Sequence, residues 1–178
     1  MLRGSCVNEF VVIDNIAKAT SVLKQLLEMS EVCLNFGGLI LASRSSTLTS
    51  VAISAVGTNA ASYVFDVAAI GKSSLFHSSP GGLKSLLESQ TIRKIVYDCR
   101  TAADVLFHQF QITLQHTLEL QVYLQAIQMV KGTHCRQDLP TLEDVKHLYV
   151  DFATTENLRA DPNTSAHAAF QCLLVNYV

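Results

Sequence analysis

A chain of 178 residues, 49% of them apolar and 16% charged, is one ordinary domain able to bury a single core. That balance is the reverse of a disordered chain's, and a net charge of −2 excludes a strongly basic domain built to coat nucleic acid, though not a local basic groove. Set against the roughly 25% charged residues of a typical domain, the shortage leaves apolar surface that can serve as an interface.

Five cysteines (Cys6, Cys33, Cys99, Cys135 and Cys172) form no CxxC pair, and their odd number and irregular spacing fit reduced thiols inside a cell. The N-terminus has no apolar run of signal-peptide length, and no stretch reaches the roughly 18 apolar residues of a membrane span. A soluble protein of the cytoplasm or nucleus is expected.

In chain order, Asp14 is placed to cap a helix whose apolar positions Ile16, Val22, Leu23, Leu26 and Leu27 recur at helical spacing up to Met29. Residues 31–36, 48–56 and 63–67 then read as three strands, joined by polar Ser43–Thr47 and by Gly57-Thr-Asn59; such short links favour an antiparallel meander. A polar loop is expected over Gly71–Ser79, followed by a helix opened by Pro80 and running to Glu88. Residues 93–97 read as a fourth strand and 101–109 as a helix. Residues 114–128 read as mostly helical, entered from a short fifth strand. Residues 129–140 are loop-like, and Thr141-Leu-Glu-Asp144 fits a capping box for a helix to Val150. A last helix over 164–178 is still apolar at its end, so that element is expected to continue in the full protein. Strands in a meander, then strand and helix alternating, indicate an α/β domain with a mixed five-stranded sheet and helices on both faces.

This order, with Tyr63-Val-Phe-Asp-Val67, Arg93-Lys-Ile-Val-Tyr-Asp-Cys-Arg100 followed by Asp104, His108-Gln-Phe-Gln-Ile112 and Leu118-Glu-Leu-Gln-Val122, resembles the RNase D-like (DEDD) 3′–5′ exonuclease domain, a ribonuclease H-like fold. Tyr97-Asp-Cys-Arg100 is similar to the His-Asp-Cys-Arg signature of the branch called exonuclease 3′–5′ domain-containing protein 1, associated with the piRNA pathway of animal germ cells. The likeness covers about residues 12–178, a single exonuclease-like domain. It implies four carboxylates converging on two divalent metals, one generating the attacking hydroxide and the other stabilising the leaving oxygen.

On that alignment the family's Asp-x-Glu reads Asn35-Phe36-Gly37 here. Tyr97 stands for the signature His, and the Asp five residues on is Ala102. The last motif places His167 first and Gln171 at the metal position; a register shifted by two puts Ala169 there instead. No carboxylate stands at any of these positions, so a catalytically inactive domain without metal or other cofactor is expected. The resemblance further implies a role in piRNA biogenesis, RNA binding, homodimerisation and a Tudor-domain partner, with a germ-granule location in the cytoplasm.

Polar groups near the degenerate site (Asp98, Arg100, Asp104, Glu119, His167) admit a rebuilt nuclease centre, but strand-end, turn and solvated-helix roles account for Asp98, Arg100 and Asp104 more simply. His134-Cys135 with His147, or His167 with Cys172, fits no closed zinc pattern, and no local motif supports a Cys–His nucleophile. Arg93, Lys94 and Arg100, with Arg44 and Lys84, are candidates for a basic rim that binds RNA phosphate without chemistry; ordinary solvated charge is the equal alternative. Gly37-Gly38 lacks the spacing and the following helix of a phosphate loop, so a bend or close backbone approach is expected there. Three readings stay open: an inactive RNA adaptor, a residual metal-dependent exoribonuclease using Asp98, Asp104 and Glu119, and a purely protein-binding dimerisation module.

Overall fold

The computed structural model describes residues 10–39, 46–56, 61–77 and 81–123. The elements are β1 (Phe10–Ile13), α1 (Ile16–Leu26), β2 (Glu31–Gly37), β3 (Ser50–Ala55), β4 (Ser62–Asp66), α2 (Val67–Ile70), α3 (Lys72–His77), α4 (Leu83–Leu87), β5 (Arg93–Val96), α5 (Arg100–Phe110) and β6 (Thr117–Glu119). They build one mixed sheet in the order β1-β4-β3-β2-β5-β6. The meander β2-β3-β4 is antiparallel as expected, while β1 on β4, β5 on β2 and β6 on β5 are parallel. Among the described residues the sheet therefore has six strands, where five were expected. The added one, β1, is a four-residue run whose partner β4 lies some fifty residues on, a pairing that local periodicity cannot reveal.

Alternation along the strands divides the sheet into two faces. Val32, Leu34, Val51, Ile53, Phe65 and Val96 join one large core with Ala19, Leu23 and Leu26 of α1 and with buried residues of α2 to α5. The opposite face holds a smaller cluster of Cys33, Ile95 and Leu120. Beside it lies a buried Ser54–Ser62 hydroxyl pair, 2.8 Å apart across β3 and β4. The readings over 124–128, 129–140, 141–150 and 164–178, and the residues His134, Cys135, His147, His167, Ala169, Gln171 and Cys172, lie outside the described residues. So do Arg44, Cys6 and Pro80.

Two local expectations are corrected. Asn15, not Asp14, caps α1: its side-chain oxygen accepts the Lys18 backbone N–H at 3.0 Å, while Asp14 pairs with the Lys18 ammonium at 2.9 Å. The segment expected as a polar loop contains α3, because Leu75 and Phe76 are fully buried. That burial outweighs the weak helix preference of Ser73 and Ser74. Helix α4 makes the same point: it has five residues and no side-chain cap, yet Leu83, Leu86 and Leu87 are all fully buried, each burial contributing about 2 kcal/mol.

The bend after β2 depends on Gly38. Its φ is +85°, and a Cβ there would lie 2.5 Å from Thr49 Oγ1 and 2.6 Å from the Thr47 carbonyl oxygen. Gly38→Ala is expected to lower stability by roughly 2 kcal/mol in urea denaturation; an unchanged midpoint would refute the close approach. No described helix is long and apolar enough to cross a membrane.

Candidate functional site

Parallel strands β2 and β5 start side by side, β5 ending at Val96 while β2 runs on to Gly37, and the crevice beyond their carboxyl ends is where α/β sheets commonly place a ligand. A cleft of about 150 Å³ opens there, lined by residues of β2 and its exit (Leu34, Asn35, Phe36, Leu39) and of the β5–α5 turn (Val96, Tyr97, Asp98, Cys99, Thr101, Ala102). Asn35, Tyr97 and Ala102, singled out from the sequence, are thus brought together. Gly37 shares the Asn35 side of β2 by alternation, and a Cβ on it would meet Ser50 Oγ at 2.3 Å.

The two carboxylates nearest the cleft are both engaged. Asp98 stands in a left-handed conformation (φ 50°) and receives Arg100 in a fork, Nε to Oδ1 at 2.7 Å and Nη2 to Oδ2 at 3.0 Å. Its hydrogen bond from Arg100 holds the carboxyl below the usual carboxylate range against the opposing effect of burial. Glu119, at the end of β6, accepts the backbone N–H of Asp98 (2.8 Å), Cys99 (2.9 Å) and Gln121 (3.1 Å). Asp104 lies 3.4 Å from His108 along α5. The three carboxylates considered for a residual nuclease therefore face different partners. Among the described residues, no group of three His, Cys, Asp or Glu could hold a metal ion.

Burial, reinforced by the Glu119 carboxylate, pushes the Cys99 thiol up to about 12. Iodoacetamide at pH 8, followed by peptide mass spectrometry, is expected to label Cys99 roughly a hundredfold more slowly than after denaturation. Equal rates would show an exposed thiolate.

The basic rim does not assemble as expected. Arg93 pairs with Glu31 at 3.0 Å at the starting ends of β5 and β2, about 13 Å of strand away from the cleft. Lys94 is fully buried, donating to the carbonyls of Ser89 and Ile92. Lys84 donates to the Gln111 carbonyl at 2.8 Å, beyond the far end of α5 from the cleft. Of the described candidates only Arg100 stands beside the cleft, and Asp98 already holds it. The sequence left Lys94 open because Ile95 and Val96 are both apolar and do not reveal which way β5 alternates.

Among solved structures, the chain is similar to Trypanosoma brucei RNase D in its complex with RNA U12, with a TM-score of 0.61 and 18% identity over 93% of this chain and 60% of that one. It is also similar to the Aedes aegypti Nibbler EXO domain, with a TM-score of 0.62 and 12% identity over 97% of this chain and 84% of that one. Among curated proteins it is 36% identical to human "piRNA biogenesis protein EXD1" over 98 residues, 53% of this chain. This is the RNase D exonuclease fold. The chain spans 18% of the length of human EXD1. No protein-family model matches it.

The fold brings with it the question of a two-metal centre. Divalent Mg²⁺ or Mn²⁺ needs oxygen ligands, preferably charged. Asn35 offers one amide oxygen, which already accepts the Phe36 N–H at 2.8 Å, and Ala102 and Gly37 offer no side-chain donor. The described cleft residues do not fit such a centre, and no metal-dependent step is assigned to them.

Proposed function

We propose that this is a catalytically inactive exonuclease-like domain that acts as an RNA-binding adaptor or scaffold in piRNA biogenesis. The observation that carries this reading is the lining of the cleft: Asn35 and Ala102 stand where the family's carboxylates would be, the lining carboxylate Asp98 is neutralised by Arg100, and the nearby Glu119 is taken up by backbone N–H groups. A neutral wall repels a phosphate backbone less than a metal-free acidic one would. The likeness to a protein named for piRNA biogenesis supports the pathway. Homodimerisation, a Tudor-domain partner and a cytoplasmic location belong to the same proposal and rest on the sequence resemblance alone.

A time course on 3′-labelled single-stranded RNA with Mg²⁺ or Mn²⁺ is expected to show no trimming. Trimming that copurifies with the chain and disappears in Asp98→Ala would overturn the proposal and favour the residual nuclease. RNA binding is expected to be weak, with a Kd of about 10–100 µM, and to weaken further with added salt. The exposed apolar run Phe10, Val11 and Val12 favours a second reading, a purely protein-binding module. No RNA binding even at low salt, together with a dimer in light scattering, would select it.

A further inference from the structure

We infer that Glu119 is a positioning residue that fixes the wall of the cleft from the sheet edge, so that the form of the cleft depends on β6 being docked. The wall is the turn from Tyr97 to Ala102, and within it the Asp98–Arg100 fork ties side chains but leaves the backbone N–H groups of Asp98 and Cys99 to be met from outside. Asp98 takes a left-handed φ of 50°, a conformation aspartate reaches more readily than most residues but at a cost that favourable contacts must offset. Helix α5 begins behind this turn with Cys99 as its N-cap and no side-chain hydrogen bond from that residue. Its exposed backbone donors need an acceptor.

Glu119 supplies one from about twenty residues away. One carboxylate oxygen takes the Asp98 and Gln121 N–H groups and the other takes that of Cys99. A single side chain thus joins the cleft wall, the last residue of β6 and the start of the helical residues 120–123. β6 itself has three residues, and among the described residues it lies at the sheet edge and pairs only with β5. The element carrying the brace is therefore the shortest strand described in the sheet. The N–H groups of the turn form a concavity suited to an anion, and the chain fills it with its own carboxylate. This inference concerns the shape of the cleft and holds whether or not RNA enters it.

The test is amide hydrogen exchange on the whole 178-residue chain. In Glu119→Ala, the amides of Asp98, Cys99 and Gln121 are expected to exchange at least about thirtyfold faster, with α1 and the β2-β3-β4 meander unchanged. Glu119→Gln keeps one acceptor oxygen and should fall between the two. Added formate, a free carboxylate, should slow exchange at Asp98 and Cys99 in Glu119→Ala and leave the natural chain unaffected. A role limited to packing would not respond to formate. Leu118→Pro, which disturbs β6 pairing while keeping Glu119, should speed the same turn amides. Unchanged turn amides in Glu119→Ala, acceleration spread over the whole chain in both Glu119 variants, no formate effect, or a turn still protected in Leu118→Pro would each overturn the inference.

Discussion

A chain carrying Asn35→Asp, Gly37→Glu, Ser50→Ala and Ala102→Asp is expected to bind Mn²⁺ in calorimetry with a Kd below about 1 mM, where the natural chain gives a flat titration. Three carboxylates are added around one cleft, which moves the net charge from −2 to −5. Ser50→Ala belongs in the set because a Cβ at position 37 would meet Ser50 Oγ at 2.3 Å. Without it, the serine side chain has to rotate before any carboxylate fits. Ala102 is only 4% exposed, so a carboxylate there is buried beside like charges while no metal is present. The restored chain should therefore melt several degrees below the natural one in EDTA and recover as Mn²⁺ is added, since a ligand that binds only the folded state stabilises it. The natural chain should show neither change. Specific Mn²⁺ binding by the natural chain would sink the inactive-domain reading. A restored chain that folds but binds nothing would show that positions 35, 37 and 102 are not the ligand positions of this fold.

The parts of this fold that were legible in the sequence are those where burial follows a simple period. The meander was readable because Val51 and Ile53 alternate with Ala52 and Ser54, and polar links separate the strands. Helix α5 was readable from the same kind of pattern, with Ala102, Val105, Leu106 and Phe110 on one side. Where contacts are distant in sequence, the reading failed or stopped. β1 is a strand because of β4, and α3 is a helix because Leu75 and Phe76 reach the core.

The site divides in the same way. Family likeness located Asn35, Gly37, Tyr97 and Ala102, of which all but Gly37 line the cleft. Glu119 was singled out as a surviving acid, but no spacing indicated that its carboxylate would turn toward backbone N–H groups about twenty residues earlier. The basic rim was composed from charge alone, and charge does not reveal which end of a strand or helix a cation occupies. Arg93 and Lys84 are exposed cations at the wrong ends of their elements, and Lys94 turns inward.

Lys94 gives the second large effect, which is a dependence of stability on pH. It projects to the core side of β5, level with Val32, on the same face as Val96 and opposite to Ile95, and none of it is exposed. Its ammonium donates to the Ser89 carbonyl and, at 2.8 Å, to that of Ile92. Burial pushes it from 10.5 down to about 8. Below pH 8 the group is charged in both the folded and the unfolded chain, and the fold bears the desolvation cost. Between about 8 and 10.5 the unfolded chain holds more protons than the folded one, so stability rises with pH, by up to roughly 3 kcal/mol. A neutral amine still has two hydrogens for the two carbonyls, so the turn keeps its partners as the charge leaves. Cys99 acts in the opposite direction: its folded thiol stays protonated up to about 12, while the unfolded thiol ionises from about 9, which lowers stability above that pH. Comparison with Lys94→Met removes that contribution, because both chains carry Cys99. Urea denaturation at steps from pH 7 to 10.5 should show the natural chain gaining on Lys94→Met, most steeply between 8 and 10. A difference that stays flat across that range would mean that Lys94 holds its charge in contact with water, contrary to its placement against the Ser89 and Ile92 carbonyls.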